Sequence, residues 1–442
     1  MFRNRASRSK TPAHELALDC LQAGIEAANP RRAVERHCTL AGDTLRIRTA
    51  EYDLSAYDKI LVLGGGKAAD DLAAALETLL GDRLTDGVVV THEQTADPDR
   101  VAVREGEHPT PADGSVSGAT AVLERAAAAD AETLVLAAIT GGGSALLCAP
   151  VPSLSVDDLG AVTDGLLDAG AAIDEVNAVR RACSEIKGGG FAEAAAPATV
   201  VGLLVSDVIG DDPAVIASGA TVPIDTDPER ALAVLDRYGV SAPNVRAWLR
   251  DDDPHSAPDI AVDNHVIASG RDAVEAARDV AAEHGYDTCI LSTHIDGEAS
   301  EAGRVHAAIA TEISEAGDPI SPPAVVLSGG ETTVQVTGDG CGGPNLEFAL
   351  AGALDLPDGA VLGALDTDGS DGSIDAAGAL VDGATVTDAD IEAARTALEA
   401  NDSYPFLDGR DALLRTGPTG TNVNDLRVVV VQGQHNFVSG RR

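Results

Sequence analysis

Lysine is almost absent from this chain of 442 residues, in which 71 acidic residues face 31 lysines and arginines. The four lysines are Lys10, Lys59, Lys67 and Lys187. A net charge of −40 repels nucleic acid and anionic lipid, so we expect neither as a partner. The same charge opposes an anionic ligand, and any phosphate site therefore has to be basic locally.

Aromatic residues, paired cysteines and long apolar runs are also scarce. Aromatic residues make up 2% of the chain, with Trp248 the single tryptophan, which disfavours base-stacking and carbohydrate-stacking surfaces. The six cysteines contain no C-x-x-C pair, so neither a zinc site nor a disulfide framework is indicated. No apolar run approaches the roughly 18 residues of a membrane span, and no apolar signal-peptide region follows the basic N-terminus.

Low lysine, excess acid and an alanine-rich composition are typical of proteins from a high-salt cytoplasm, where salt screens the self-repulsion. We therefore expect a halophilic archaeal source and a cytoplasmic location. A protein of this kind is predicted to lose stability in salt-free buffer.

Short β-branched runs alternate with alanine-rich helical segments, which predicts α/β domains with mostly parallel sheets covered on both faces. The charged, proline-bearing segment from residue 250 to 259 is the best linker candidate. We predict a Rossmann-like N-terminal α/β domain over residues 12–250 and a C-terminal α/β domain over residues 260–435, in a monomer or homodimer. The predicted strands are Lys59–Leu63, Gly87–Thr91, Thr133–Ile139, Thr199–Val205, His265–Ala268, Thr288–Leu291, Ala324–Leu327, Ala360–Leu365 and Arg427–Val431.

Glycine-rich or polar segments follow five of the predicted strands. They are Gly64–Lys67, Thr140–Ser144, Ser206–Asp207, Ser328–Thr332 and Asp366–Gly369. In open α/β sheets, ligands bind outside the carboxyl ends of the strands. We therefore predict one composite active site in the cleft between the two domains.

The segment Gly64-Gly65-Gly66-Lys67 places one of the rare lysines beside backbone that a ligand can approach closely. It lacks the Walker A spacing and the third glycine of a dinucleotide fingerprint. Backbone N–H groups at a helix N-terminus bind anions, so we interpret Lys67 as a clamp on a transferring phosphate. A tight strand-to-helix turn is the structural alternative.

Two further glycine-rich segments predict anion binding. Gly141, Gly142 and Gly143 resemble an oxyanion or phosphate nest in front of Ser144. A nucleophilic role for Ser144 is disfavoured, because the G-x-S-x-G motif is absent. Lys187 precedes another triple glycine and is predicted to hold a second anionic group, although glycines that end one helix and start the next are the alternative.

Carboxylates predict metal or base chemistry in two places. Asp366, Asp368 and Asp371 miss the calcium-loop pattern, whereas magnesium needs only one or two carboxylates plus substrate phosphates. We therefore predict a magnesium–nucleotide site there, with an accidental cluster in an acidic chain as the alternative. Asp207, directly after a strand, is the cleaner candidate for a metal ligand or a base.

Two proline-containing loops add candidate ligands. His108 lies in the proline-bounded loop Gly106–Pro111, which is able to position a substrate or to serve as an ordinary structural loop. The segment from residue 418 to 425 offers hydroxyl and amide donors, among them Thr419 and Asn422. That segment is either a ligand loop or an ordinary turn.

Taken in order, these motifs resemble the glycerate 2-kinase family, whose C-terminal portion is the MOFRL domain, here expected at about residues 322–435. Each motif alone is weak, and the ordered set is specific. The matching stretches are Gly64–Ala69, Gly106–Pro111, Thr140–Leu146, Asn177–Arg181, Lys187–Gly189, Ser206–Gly210, Ser328–Thr333, Asp366–Gly372 and Gly417–Asp425.

The resemblance implies ATP-dependent phosphorylation of D-glycerate at its 2-hydroxyl with a divalent ion, and it implies that Lys67 is an active-site residue. We therefore predict ATP and Mg²⁺ as cofactors, Lys67 and Asp207 as catalytic residues, and Asp366, Asp368 and Asp371 at the metal. The residues predicted to bind glycerate are Lys187, Arg180, Arg181, Ser144 and His108. Those predicted to bind ATP or its phosphates are Gly64, Gly65, Gly66, Gly141, Gly142, Gly143, Gly329, Gly330, Glu331, Thr332, Asn345, Thr419 and Asn422.

One departure from the family pattern bears on the chemistry. The family commonly carries arginine where this chain reads Gly342-Gly343-Pro344-Asn345, and Pro344 donates no charged hydrogen bond. The catalytic role of that arginine is then either absent here or supplied elsewhere, for example by Arg180, Arg181 or Lys187. Two alternatives stay open: an NAD(P)-linked enzyme of the hydroxypyruvate reductase type, disfavoured because no dinucleotide fingerprint with a ribose-binding acid is evident, and a non-catalytic binder of small phosphorylated metabolites.

Overall fold

The computed structural model describes residues 1–251, 256–257 and 259–433, and the chain divides into two compact units. The central unit is Pro30–Ser269. The C-terminal unit joins Met1–Asn29 to Gly270–Arg442. Half of the predicted linker, namely residues 252–255 and 258, lies outside the described residues, as does the end of the predicted C-terminal domain at residues 434–435.

The strands are short and the helices are of ordinary length. The strands are β1 Cys38–Ala41, β2 Thr44–Ile47, β3 Ala50–Asp53, β4 Lys59–Gly65, β5 Asp86–Thr91, β6 Val101–Glu105, β7 Thr133–Ile139, β8 Thr199–Val205, β9 Asp263–Ala268, β10 Asp287–Ile295, β11 Ala324–Gly330, β12 Ala360–Asp366, β13 Gly378–Asp382, β14 Leu413–Leu414 and β15 Asp425–Val431. The helices are α1 Arg5–Arg8, α2 Pro12–Ala28, α3 Pro30–His37, α4 Ala69–Leu80, α5 Asp113–Ala127, α6 Gly143–Leu146, α7 Val156–Asp168, α8 Ile173–Ala182, α9 Gly190–Ala195, α10 Pro228–Tyr238, α11 Pro243–Asp251, α12 Gly270–Glu283, α13 Ala299–Ala316, α14 Pro344–Ala353, α15 Ile391–Glu399 and α16 Ser403–Asp408. Across the described ranges, none of these helices has both the length and the apolar character that crossing a membrane requires.

The central unit is built on a six-stranded sheet in the order β6-β5-β4-β7-β8-β9, and every pair in it is parallel. Strands β7 and β8 are buried almost throughout, because helices cover both faces of a parallel sheet. Counted from β4, this is the doubly wound order 3-2-1-4-5-6 of the Rossmann fold. The Rossmann-like fold predicted for the N-terminal part of the chain is therefore confirmed. A separate three-stranded antiparallel sheet, β1-β2-β3, precedes it.

A second apolar core in the central unit lies among helices α7, α8, α10 and α11. Leu159 and Leu166 of α7 pack there with Val176 and Val179 of α8, and Leu235 of α10 joins them. These helices occupy the connections β7–β8 and β8–β9. They form a helical layer beside the carboxyl ends of β7 and β8.

The sheet of the C-terminal unit is mixed, which corrects the expectation of mostly parallel strands for this half of the chain. Its order is β10-β11-β15-β12-β13-β14, and only β10 and β11 are parallel neighbours. Strand β15 lies between β11 and β12 and runs antiparallel to both. A continuous apolar run in the sequence indicates that a strand is buried on both faces, but it does not indicate whether the strand runs parallel or antiparallel to its neighbours. In this sheet, helices α2 and α12 cover one face, and α13 and α14 cover the other.

The division into units differs from the predicted domains in two places. Helix α2 belongs to the C-terminal unit, where Leu21 and Ile25 pack with Val274 and Leu426. The His14 ring of α2 lies 3.3 Å from the Asp382 carboxylate of β13, and this hydrogen bond lowers the pKa of Asp382. The second division falls after residue 269 rather than between residues 250 and 260, because β9 completes the parallel sheet.

Candidate active site

The loops after β4 and β7 meet at the point where the strand order of the central sheet reverses, which is where open α/β sheets bind ligands. Gly66 has φ 141°, and a Cβ atom there would lie 2.1 Å from the Thr140 Oγ1 atom. The Ala68 N–H donates to Thr140 Oγ1 at 3.0 Å, and the Lys67 N–H donates to the Gly141 carbonyl at 2.8 Å. The close approach explains the glycine and fixes Lys67 two residues before α4 begins.

Three candidate side chains surround Gly142. A Cβ atom at Gly142, which has φ 78°, would lie 3.0 Å from Cδ2 of His108 and 3.1 Å from Cγ of Lys67. The Gly142 N–H donates to Oδ2 of Asp207 at 3.0 Å. Burial raises the pKa of Asp207, while the Gly142 hydrogen bond and the Lys67 charge oppose the shift. The side chains of Lys67, His108 and Asp207 therefore all lie around the Gly142 turn.

A pocket of about 310 Å³ opens beside this turn. Its polar lining includes His108, Ser144, Asp164, Arg180 and Lys187, and helix α7 supplies much of its apolar wall. Four of these five residues are ones that the motifs predict to bind glycerate. The volume suits a small molecule.

Lys187 is a buried cation in this pocket. Its side chain is 5% exposed, and its Nζ atom donates to the carbonyls of Ser144 at 2.6 Å and Leu147 at 3.2 Å. Burial lowers the pKa of Lys187 to about 8, with the neighbouring Arg180 charge acting in the same direction. Helix α9 begins at Gly190, so the glycines that follow Lys187 also serve as a helix start, which is the alternative given above.

Arg180 and Arg181 differ in what their guanidinium groups contact. Arg181 donates to the carbonyls of Ser218 at 3.3 Å and Ala214 at 2.8 Å, so it supports a loop. Arg180 lines the pocket, and within the described residues no protein hydrogen bond or ion pair engages its guanidinium. Arg180 is therefore the better candidate for glycerate, and the placement of Arg181 corrects its predicted role.

The candidate residues of the C-terminal unit gather at one edge of the mixed sheet. Gly330 at the end of β11 and Asp366 at the end of β12 both pair with Asp425 at the start of β15. The antiparallel direction of β15 therefore brings the preceding loop to the same edge. Glu331 is exposed there, and the hydroxyl of Thr419 donates to the Thr367 carbonyl at 2.5 Å.

Three residues predicted to bind the nucleotide or metal belong instead to a buried polar network. Both carboxylate oxygens of Asp371 accept backbone N–H groups at the start of α14, at 2.9 Å and 2.8 Å. The amide nitrogen of Asn345 donates to Asp371 and to Asp425, and the Thr332 hydroxyl accepts from Arg427 at 2.9 Å. Asp371, Asn345 and Thr332 are thus structural. Burial raises the pKa of Asp371 to about 7.

The predicted three-carboxylate metal site does not form. Among the residues that the structure describes, no three or more His, Cys, Asp or Glu side chains converge as metal ligands. Asp366 and Asp368 are half-buried, and the Oδ1 atom of each accepts one backbone N–H at 2.9 Å. These two carboxylates remain candidate magnesium ligands. Pro344, which stands where the family commonly has arginine, is the first residue of helix α14, a position that suits proline.

Two family models match the chain. One, described as a domain of unknown function (DUF4147), matches residues 16–250, and the MOFRL family matches residues 324–425. The D-glycerate 2-kinase of Thermotoga maritima is 38% identical over 424 residues, which cover 94% of this chain and 98% of that protein.

The chain belongs to the glycerate 2-kinase family.

A solved structure of a glycerate 2-kinase family member extends the likeness to the fold. The glycerate kinase of Thermotoga maritima matches with a TM-score of 0.83 and 36% identity, covering 94% of this chain and 99% of that one. A protein of Agrobacterium vitis, named provisionally as a hydroxypyruvate reductase, is 41% identical over 84% of this chain and 87% of that protein. The family resemblance drawn from the motifs is confirmed.

Sequence reasoning missed Asp164, which lines this pocket, and three residues that lie behind or beside residues of the site. His92 follows β5, and its ring centroid lies 6.2 Å from that of His108, so the strand-end argument would have found it. Asp164 lies on α7, Asn177 on α8, and Ser218 in a short 3₁₀ turn. Asn177 stands in the matching stretch Asn177–Arg181 but was given no role of its own. For Asp164 and Ser218 the sequence offers no motif, since only the folding of the chain brings them to the pocket region.

Proposed function

We propose that this chain transfers the terminal phosphoryl group of ATP to the 2-hydroxyl of D-glycerate. The observation that carries the proposal is the pocket of the central unit, where Arg180 and buried Lys187 lie near the Gly142 turn. A chain with a net charge of −40 has little reason to bury a cation without an anionic ligand for it. Relatives named as glycerate kinases support the same assignment.

Arg180 and Lys187 hold the glycerate carboxylate in this proposal. The guanidinium of Arg180 offers a planar pair of N–H donors, the geometry that a carboxylate accepts best. Lys187 has three N–H donors, of which two are directed at the carbonyls of Ser144 and Leu147. The third is available to the substrate, and His108 forms another part of the pocket lining.

Asp207 and Lys67 serve the reacting groups on either side of Gly142. Asp207, whose pKa burial raises, accepts the proton of the 2-hydroxyl as that oxygen attacks phosphorus. Lys67 stabilises the charge on the transferred phosphoryl group. The backbone N–H groups of the glycine-rich turns 64–66 and 141–143 contribute further donors to the phosphates.

The C-terminal unit contributes nucleotide contacts in this proposal. Gly329, Gly330 and Glu331 end β11, and Asn422 precedes β15 at the same edge. Asp366 and Asp368 would hold magnesium together with the phosphates, since this ion needs only one or two carboxylates. When bound, magnesium neutralises charge that develops on the phosphoryl oxygens.

The competing reductase activity is disfavoured by the first strand-to-helix turn. A dinucleotide-binding Rossmann domain carries G-x-G-x-x-G there, whereas this chain reads Gly64-Gly65-Gly66-Lys67 before Ala68. A hydroxypyruvate reductase also needs nicotinamide oxidation or reduction. The provisional name of the Agrobacterium vitis relative makes the comparison worth measuring.

Two parallel assays test the proposal. In the first, ADP release is followed with D-glycerate, ATP and magnesium. In the second, nicotinamide absorbance is followed with hydroxypyruvate and NADH or NADPH. The proposal expects D-glycerate-dependent ADP release and no nicotinamide turnover, and the reverse pattern would overturn it.

A further inference from the structure

Ser144, Ser218 and Asn177 form a chain of hydrogen bonds that leads from the pocket into the protein. The Oγ atoms of Ser144 and Ser218 lie 2.9 Å apart, and Ser218 Oγ donates to Oδ1 of Asn177 at 2.9 Å. Ser144 lines the pocket, whereas Ser218 is 0% and Asn177 is 1% exposed. The side chains of the two inner residues therefore connect to the pocket through the Ser144 hydroxyl.

The direction of this chain follows from proton counting. A serine hydroxyl has one proton, and that of Ser218 is directed at the Asn177 oxygen. The bond between the two serines must then use the proton of Ser144. The Ser144 oxygen is left as an acceptor on its pocket side, so it favours a ligand group with a proton to give, such as a hydroxyl, over a carboxylate.

The backbone fixes Ser218 in its position. Ala217 has φ 49° and Ser218 φ 58°, a left-handed conformation that residues with a side chain adopt rarely and at a cost in free energy. The Ser218 carbonyl accepts from the Gly188 N–H at 3.2 Å and from Arg181 Nε at 3.3 Å. A conformation of this kind persists when its surroundings determine it, which is the property expected of a positioning residue.

We propose that Ser218 and Asn177 orient the Ser144 hydroxyl to accept a hydrogen bond from the 3-hydroxyl of D-glycerate. This inference rests on the proposed function, in which Arg180 and Lys187 take the carboxylate and Asp207 faces the 2-hydroxyl. The 3-hydroxyl is the one donor that then remains. Ser144 consequently distinguishes D-glycerate from D-lactate, which is the same molecule without that hydroxyl.

The test compares kcat and KM for D-glycerate and D-lactate in the wild type and in Ser144→Ala. A site built around a substrate hydroxyl rejects the analogue that lacks it. We expect Ser144→Ala to lower kcat/KM for D-glycerate roughly 10- to 100-fold and to leave D-lactate within about twofold. An equal loss for both substrates would overturn the inference.

Ser218→Ala tests the positioning role separately. Freed from its partner, the Ser144 hydroxyl turns, so we expect KM for D-glycerate to rise with kcat nearly unchanged and with D-lactate unaffected. Asn177→Asp keeps an acceptor for Ser218 and should retain the wild-type discrimination. A wild-type ratio of D-glycerate to D-lactate in Ser218→Ala would contradict the role.

A matched control and a binding measurement separate the possible failures. Ser403→Ala changes an equally buried serine of α16 and should leave the discrimination intact, while circular dichroism checks that each variant is folded. Calorimetric binding of both acids to the same variants gives the discrimination without turnover. If the two acids are discriminated in binding but no phosphoryl group is transferred, the proposed function is rejected and this inference is kept. If transfer occurs but Ser144→Ala keeps the wild-type ratio of kcat/KM for D-glycerate to that for D-lactate, this inference is rejected and the proposed function is kept.

Discussion

At the residue scale, the most informative feature is where a lysine-poor chain keeps its lysines. Lys67 lies in the turn between β4 and α4, and Lys187 is buried in the pocket of the central unit. Lys59, in contrast, is half exposed at the start of β4 and pairs with Asp130 at 3.5 Å. These three lysines allow function and surface charge to be separated by substitution.

Lys67→Ala is expected to lower kcat by roughly 100- to 1,000-fold, the size of effect seen when one charge-stabilising group is removed. The glycine turn and the fold should remain intact, because Lys67 joins the turn through its backbone N–H. Steady-state kinetics and circular dichroism measure the two effects. Lys59→Ala is the matched control with near wild-type turnover, and near-normal turnover in Lys67→Ala would refute the assignment.

The pKa of Lys187 predicts a pH dependence of substrate binding. Burial lowers this pKa to about 8, so Lys187 is charged below that pH and loses its proton as the pH rises through it. KM for D-glycerate should therefore be flat from about pH 6 to 7.5 and rise above pH 8, since a neutral amine attracts a carboxylate less. Kinetics at constant ionic strength measure this.

Lys187→Arg provides the control for that profile. Arginine does not titrate in this range, so the rise in KM above pH 8 should disappear even where affinity is reduced. The same rise in the variant would assign the titration to another group.

The residue scale also shows where sequence reasoning stops. Arg180 and Arg181 are equivalent in the sequence motif, but neighbouring residues of a helix point about 100° apart, because a turn takes about 3.6 residues. Only packing decides that Arg180 faces the pocket and Arg181 the carbonyls of residues 214 and 218. Asp371 is a similar case. The sequence shows only that a carboxylate stands at this position, and it does not show whether that carboxylate caps a helix or binds a metal.

At the element scale, helix α14 distinguishes Asp371, which caps it, from the proposed magnesium ligands Asp366 and Asp368. The Asp371 carboxylate accepts hydrogen bonds from two backbone N–H groups in the first turn of α14. Asp371→Ala should lower the free energy of unfolding by roughly 1–3 kcal/mol, through the lost cap and the unsatisfied N–H groups. Asp366→Ala and Asp368→Ala should instead raise the magnesium concentration needed for half-maximal turnover.

Urea unfolding and magnesium titrations measure the two classes of effect. A variant of Asp371 with wild-type stability and weakened magnesium activation would reverse the assignment. Unchanged magnesium dependence in both Asp366→Ala and Asp368→Ala would remove these residues from the metal site.

Strands were easier to predict than their directions. All nine predicted strands are present, and seven of them are largely buried apolar runs, whereas β9 and β10 are only partly buried. Six strands were missed. Strands β1–β3 and β6 are short and partly exposed and carry no continuous apolar run, whereas β13 and β14 are buried but only five and two residues long. The direction of β15 was also not predictable, because burial between two helical layers yields the same pattern in parallel and antiparallel strands.

At the scale of the whole molecule, charge dominates. A net charge of −40 on 442 residues makes self-repulsion a destabilising force that salt screens. The Debye length falls from about 10 Å at 0.1 M salt to about 3 Å at 1 M. We expect the melting temperature to rise steeply with KCl over this range, as a halophilic source would require.

Differential scanning calorimetry across a KCl series measures that dependence. Sucrose at matched osmolality is the control, because it stabilises by exclusion from the protein surface without screening charge. Full stability in salt-free buffer would contradict the halophilic interpretation and leave the glycerate 2-kinase family assignment untouched.

The most direct test of the central claim is the phosphorus NMR spectrum of the product made from D-glycerate, ATP and magnesium in molar KCl. Phosphate on the 2-hydroxyl couples to the single proton of C2 and gives a doublet. Phosphate on the 3-hydroxyl couples to two protons and gives a triplet. We predict the doublet together with ADP, and a triplet or the absence of any new phosphate ester would contradict the account.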